Sequence, residues 1–396
     1  MKLLFLVSSL DLTQPFSATP AWWQLFKGLY EAGVDVLAAP YQGPAVESLW
    51  WRAVPNPARA EGDLFKLARD LLRRASGRGQ RADIDRRDAP MLTPAERLVC
   101  TITQTLIVPR WQRVLGRVLE RERDVDAVIF LTVPLNQMVG LAGHLRARYG
   151  VPVLYYDGDI PASLPGFQGF ASGFRIYPGA DLHEYDAFIC NSKGGAARLE
   201  AMGARPAHVL YYAVDPEVYQ PVEAGKDIDV FFYGHGAEYR AEWISAMIAA
   251  PSRSMPAARF AVRGTDLGDL GRAEMLPYLS FSRLREYVCR ARVNLCITRR
   301  AHASVYASSS MRPFELAALG ACIVANPYLG IEEWFEPGHE LLVVSDEAEA
   351  TEAYRWLLAH DDQRERMGEA ARARVLRAHT FRHRAAELRA IVESVR

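Results

Sequence analysis

The sequence predicts an α/β protein with a doubly wound parallel sheet in each of two Rossmann-like halves. Three observations carry this. Short apolar runs alternate with helical patterns along the chain, the rhythm of βαβ units. The series stops at an extended, proline-rich stretch, AVDPEVYQP at residues 213–221, and then begins again. At 396 residues the chain also exceeds what one hydrophobic core ordinarily spans.

Residues 2–8 read as a buried strand and 20–32 as the helix after it, with Trp22, Leu25, Phe26, Leu29 and Tyr30 at helical spacing. Gly33 stops that helix and 34–39 is the next strand. The connection at 9–19 is polar and lacks a GxGxxG, so it is either a surface link or part of an acceptor pocket. Residues 66–74 are helical and basic, and 76–87 (SGRGQRADIDRR) form a solvated segment. Such a run is a solvated face or a contact to an anionic membrane or acceptor; membrane binding is not predicted. Thr93-Pro94-Ala95-Glu96 is a capping box that opens a helix to about residue 123, interrupted near Pro109. Strands follow at 126–133, at 152–156 (ending in Asp157-Gly158-Asp159), at 186–191 and at 209–212, with helices at 137–149 and up to Met202.

The second series starts with a strand at 229–233, a Gly234-His235-Gly236 turn and a helix at 239–250. A strand at 259–262 ends at Arg263-Gly264, a helix covers 282–291, and a strand at 293–298 ends at Arg299-Arg300. A polar loop then feeds a small-residue helix carrying Arg312 and Glu315, stopped by Gly320. A strand at 322–325, a Gly-Ile-Glu-Glu loop at 330–333, a strand at 341–344 and helices at 348–360, 362–379 and 380–396 complete the chain.

Half of the residues are hydrophobic and 24% charged, an ordinary globular composition. Formal net charge is zero, which excludes a chain-wide field for gathering nucleic acid. The five cysteines form no CxxC pair and no zinc spacing, so they read as buried reduced thiols. The apolar start, MKLLFLV, is too short for a signal peptide and has no cleavage site behind it. No run approaches the roughly 18 apolar residues of a membrane span. The expectation is a cytoplasmic protein.

Parallel strands bring the loops at their carboxyl ends to one edge of a sheet, and ligands bind there. In the second half those loops hold Gly234, His235, Gly236, Arg263, Arg299 and Arg312. Guanidinium forks and helix N-termini suit a diphosphate, although each arginine alone is also readable as a surface ion pair. His235 is a phosphate donor or a plain turn histidine. Glu315 reads as an acceptor of two ribose hydroxyls or as an acidic complement to a helix dipole. Ser310 and Phe314 flank it as further donor-nucleotide candidates. Asp157 and Asp159 are candidate catalytic bases, one of them serving if the reaction inverts configuration, or turn residues capping their own backbone. Phe16, Trp22 and Trp23 are able to stack on a sugar, with Trp22 better placed for the core. No metal-ligand spacing, Ser-His-Asp pattern or Walker motif is present.

The segments DAFICNSKGGAARLEAMGARPAHVLYYAVDPEVYQP, DVFFYGHG, RPFELAALGACIVANPYLGIEEWFEPGHE and HTFRHRAAEL together resemble GT-B glycosyltransferases over roughly residues 180–390. The resemblance is to the large retaining group 1 (family 4-like) and its CgeB-like subgroup. It implies two Rossmann-like domains facing across a cleft: residues 1–217 for the acceptor, completed by the terminal helix 380–396, and residues 218–379 for the nucleotide-sugar donor. It further implies metal-independent transfer of a sugar from a nucleoside-diphosphate sugar to a small-molecule, glycan or lipid-linked hydroxyl, with no cofactor. That family carries two glutamates separated by seven residues at this place. Glu315 matches the second, on the ribose, whereas the first falls on Ala307. Base, sugar, acceptor and stereochemical outcome stay open. So do two other functions, a nucleotide-sugar epimerase of the same architecture and a non-catalytic sugar-nucleotide or glycan-binding protein.

Overall fold

The computed structural model describes residues 1–11, 20–62, 92–165, 176–236, 240–278 and 280–396. Phe16 and the basic stretch at 66–87 lie outside the described residues. Two compact units result: unit 1 takes Met1–Gln14, Leu29–Leu210 and Ala385–Arg396, and unit 2 takes Pro15–Gly28 and Tyr211–Arg384.

Unit 1 holds β1 (Lys2–Ser9), β2 (Asp35–Gln42), β3 (Arg52–Ala53), β4 (Ala127–Leu131), β5 (Val153–Asp157), β6 (Ala187–Cys190) and β7 (Ala207–Val209). Among the described residues they form a seven-stranded sheet in the order β3-β2-β1-β4-β5-β6-β7, with every pairing parallel. Helix α1 (Ala21–Glu31) follows β1. Its residues Leu25, Phe26 and Leu29 are buried, Trp22 is half-buried and Tyr30 is exposed. The last strand pairs at Ala207–Val209, upstream of the expected 209–212, because Phe188 to Cys190 find their register partners there.

The capping box forms as expected. Thr93 Oγ accepts from the Glu96 amide at 3.3 Å, and Glu96 accepts from the Thr93 amide at 2.7 Å. Pro109 does not interrupt the helix. α2 (Pro94–Ile102) runs through a π-turn, Thr103–Ile107, into α3 (Val108–Arg121), where Pro109 lies in the first turn and its missing N–H costs little. α4 (Leu141–Tyr149) and α5 (Lys193–Ala201) complete the helices of this unit's main run.

Unit 2 repeats the plan with β8 (Ile228–His235), β9 (Phe260–Thr265), β10 (Glu274–Met275), β11 (Ala291–Cys296), β12 (Ile323–Ala325) and β13 (Leu342–Val343). Among the described residues they form a six-stranded parallel sheet in the order β10-β9-β8-β11-β12-β13. On β8, Phe231 and Tyr233 enter one apolar cluster and Val230 and Phe232 the other. Side chains that alternate along a strand therefore bury both faces, as a doubly wound sheet requires. The helices are α6 (Ala241–Ile244), continued by a π-turn at Ser245–Ala249 into α7 (Ala250–Ser254), then α8 (Phe281–Arg290), α9 (Arg300–Ser304), α10 (Met311–Ala318), α11 (Glu347–Ala359) and α12 (Asp361–Ala378). The terminal α13 (Phe381–Ser394) starts in unit 2 and ends in unit 1. All five cysteines are buried and free; burial pushes the Cys190, Cys296 and Cys322 thiols up to about 12. Among the described residues no helix is long and apolar enough to cross a membrane.

Candidate active site

In unit 2 the strand order reverses between β8 and β11, and the loops beyond their carboxyl ends part to leave a crevice. A pocket of about 400 Å³ opens there. Tyr233 comes from β8, Thr298 and Arg299 follow β11, Arg240 precedes α6, and Ser310, Arg312 and Glu315 come from the start of α10. Asn326, at the end of β12, fixes the turn after β11 by accepting from the Thr298 amide at 2.7 Å and donating to the Thr298 carbonyl at 3.3 Å.

Glu315 is the fifth residue of α10, beyond the first turn, and only 1% exposed. The helix-dipole reading therefore falls away. Three donors hold its carboxylate: Tyr219 Oη to Oε1 at 2.8 Å, Tyr233 Oη to Oε2 at 3.2 Å, and Arg312 Nη1 to Oε2 at 3.0 Å. A carboxylate offers about four lone-pair positions, so among the described residues one remains, on Oε1. In this arrangement Glu315 has room for one hydroxyl, against the two expected. Arg312 lies over the Tyr233 ring, and burial pulls its pKa down from the usual value, opposed by the charge of Glu315. It stays a cation.

Two further guanidiniums face the pocket. Arg240 donates from Nε to the Ile297 carbonyl at 2.6 Å and from Nη1 to the His235 carbonyl at 2.9 Å. Arg299 donates from Nε to His302 Nδ1 at 3.0 Å. His302 is buried on the pocket wall; burial first, then Arg299 and Arg240, hold it well below the ordinary imidazole range and so neutral. Three cations around a pocket at a switch point match the charge of a diphosphate.

Residues 240–390 match the family model described as Glycosyl transferase-like. No curated protein matches the sequence. Among solved structures, sucrose-phosphate synthase from Thermosynechococcus elongatus is similar at 14% identity and a TM-score of 0.65, covering 100% of this chain and 98% of that one. An α,α-trehalose-phosphate synthase (UDP-forming) from Burkholderia vietnamiensis is similar at 13% identity and 0.63, with 100% and 98% covered. HepE of Anabaena, solved in complex with UDP, is similar at 11% identity and 0.59, with 100% of both chains covered. The chain has the GT-B fold, and its second half carries the glycosyltransferase-like match. The structural likenesses bear on the fold; the CgeB-like subgroup rests on the sequence segments alone.

The structure brings Arg299, Ser310, Arg312 and Glu315 together on one pocket. Other candidates are placed elsewhere. Phe314 is fully buried, packed against Trp334, Phe335 and His379, and belongs to the core. Arg263 donates to the neighbouring Gly264 carbonyl at 3.0 Å and lies over the Tyr278 ring. Gly236 and Gly264 answer to backbone packing: a Cβ on Gly264 would come within 1.9 Å of the Gly234 carbonyl oxygen, and one on Gly236 within 2.4 Å of the Asp266 carbonyl oxygen, whereas one on Gly234 would meet only the Phe232 ring, at 3.0 Å. His235 pairs with Thr265 at 2.7 Å, and burial lowers its pKa. Its link to the pocket is its carbonyl, bound by Arg240. Glu332 is exposed and Glu333 accepts from Tyr306 at 2.8 Å, so the loop at 330–333 does not line the pocket.

In unit 1, Asp157 is fully buried. Its Oδ2 accepts from Ser163 and Tyr177, both at 2.5 Å, and its Oδ1 from the Asp159 amide at 2.9 Å. Burial pushes the carboxyl up to about 6, against the opposing pull of these bonds. Asp157 thus orders the turn after β5, while Asp159 is half-buried at its edge. Among the described residues no group of three or more His, Cys, Asp or Glu is placed to hold a metal ion.

Sequence reasoning missed Arg240, Tyr219 and Tyr233. Arg240 follows a glycine turn at the start of a helical pattern, a signal close to the one that singled out Arg312. Tyr233 ends an apolar strand and reads as core; only its hydroxyl reaches Glu315.

Proposed function

We propose that the unit 2 pocket binds a nucleoside-diphosphate sugar, with Arg240 and Arg299 on the diphosphate and Glu315 on the ribose, and that the chain transfers the sugar to an acceptor hydroxyl without a metal ion. The observation that carries this is the convergence of three guanidiniums and a buried carboxylate at the switch point of the sheet, inside the segment that matches the glycosyltransferase-like model. In the reaction the bond from the anomeric carbon to the diphosphate breaks, and a bond to the acceptor oxygen forms. The nucleoside diphosphate leaves with the bonding pair, and the acceptor proton passes to a base. Asp159 is the carboxylate open enough for that role if configuration inverts; the departing phosphate takes the proton if it is retained. HepE has been solved with UDP and with UDP-glucose, which makes uracil the first base to test.

Thermal-shift screening of nucleoside diphosphates and their sugars tests the binding, since a ligand of the native state raises its apparent stability. A rise with a nucleoside diphosphate is expected, and no response to any would sink the reading. Nucleotide release with and without an acceptor mixture tests the transfer, because an epimerase needs no acceptor. Ala307 favours one other reading, a protein that binds the nucleotide sugar without turning it over: this position is buried and carries no carboxylate. Labelled sugar appearing in an acceptor excludes that.

A further inference from the structure

We propose that Tyr219 determines how the pocket reads a ribose, by filling one lone pair of Glu315 and limiting the carboxylate to a single ribose hydroxyl. This rests on the nucleoside-diphosphate reading of the pocket. Tyr219 is 2% exposed and lies in the proline-rich stretch that opens unit 2. Its amide donates to the Asp215 carbonyl at 3.0 Å, and Arg285 donates to the adjacent Val218 carbonyl at 3.1 Å, so the backbone that carries the phenol is held. The phenol donates to Oε1 at 2.8 Å, while Oε2 is filled by Tyr233 and Arg312. A cis-diol meeting this carboxylate finds one acceptor position, and the second hydroxyl must be satisfied elsewhere. Removing the Tyr219 hydroxyl returns a second position to the same oxygen, enough for both hydroxyls.

The test is calorimetric titration of the full chain with UDP, GDP and ADP, and with the 2′-deoxy and 3′-deoxy forms of whichever binds. In the natural protein one deoxy form should bind about tenfold or more weakly than its parent, as for a lost bond to a charged group, and the other should bind within about twofold. In Tyr219→Phe both deoxy forms should bind more weakly than the parent. Equal losses for the two deoxy forms in the natural protein, or no loss for either, overturn the proposal, and this comparison needs no variant. A Tyr219→Phe protein that melts normally and keeps the one-sided pattern also overturns it. If none of the three parent nucleotides binds, the nucleotide reading itself fails, an outcome distinct from the other two.

Discussion

The guanidinium carbon of Arg312 stands 3.2 Å from the centre of the Tyr233 ring, and its Nη1 donates to Glu315 on the same side of the pocket. Ring, cation and carboxylate form one unit, in which the cation neutralises a carboxylate that is almost wholly out of water. Removing one partner of such a pair leaves an uncompensated buried charge, which costs about 3–5 kcal/mol. Arg312→Ala should therefore lower the stability of unit 2 by that order, read as a shift in its urea transition. Glu315→Gln in the same chain should recover part of the loss, since the orphaned charge goes with it. Arg312→Lys should fall between, keeping the charge while losing the planar fork over the ring. An Arg312→Ala protein that unfolds like the parent would show that the carboxylate is not charged here.

The arginines of the second half separate by geometry. Arg240 and Arg299 face the pocket, whereas Arg263 bonds its neighbour's carbonyl beside Tyr278. Arg240→Ala and Arg299→Ala should each weaken nucleoside-diphosphate binding about tenfold or more, the scale of a lost charge-assisted bond. Arg263→Ala should change it less than about twofold. Titration of the three variants against UDP, or against the nucleotide that binds, checks this; equal losses in all three would mean that the pocket is not where the diphosphate sits.

The architecture was legible because each parallel strand is a compact apolar run, and strand order follows from alternation with helices. Arg312 and Glu315 were legible for a local reason: a polar pair at the start of a small-residue helix. What escaped depends on the third dimension. Arg263 and Arg240 both follow strand ends in the sequence, and only the packing decides which guanidinium reaches the pocket. The glycines at 234 and 236 look like a phosphate turn, yet Gly236 is already required by the backbone at Asp266 and Leu267, and at Gly234 a Cβ would meet only the Phe232 ring. Phe314 sits beside Glu315 in sequence but about 100° round the helix, among core aromatics. The phenol of Tyr219 is 96 residues from the carboxylate it meets, and no local pattern announces that.

Ala307, where the resembling family carries its first glutamate, is wholly buried with φ 47°, and its amide donates to the Leu329 carbonyl at 3.0 Å. Gly330 lies against it with φ 86°, and a Cβ there would come within 2.3 Å of the Ala307 nitrogen. Gly330→Ala is thus strained in backbone and in space and should cost about 2–4 kcal/mol, visible as a lowered melting temperature. Ala307→Glu buries a carboxylate at a position closed to water, so it should destabilise at least as much and should not raise turnover. Faster transfer by a stably folded Ala307→Glu protein would mean that the site is open to the donor sugar.

Asp157 gives the fold a pH dependence of definite sign. Its folded-state value of about 6 lies above the ordinary 3.8, so folding favours the neutral carboxyl. That contribution is fully present below about 3.8 and is lost as pH rises through about 6. Asparagine mimics the neutral form, and the hydroxyls of Ser163 and Tyr177 are able to turn and accept from its amide. Relative to the natural protein, Asp157→Asn should gain stability between pH 4 and pH 7, by up to roughly 3 kcal/mol for a shift of this size. Paired thermal melts across that range measure the difference. A gap that stays constant with pH would mean that Asp157 is ionised throughout and held by its three donors, and one that moves the other way would mean that those bonds outweigh its burial.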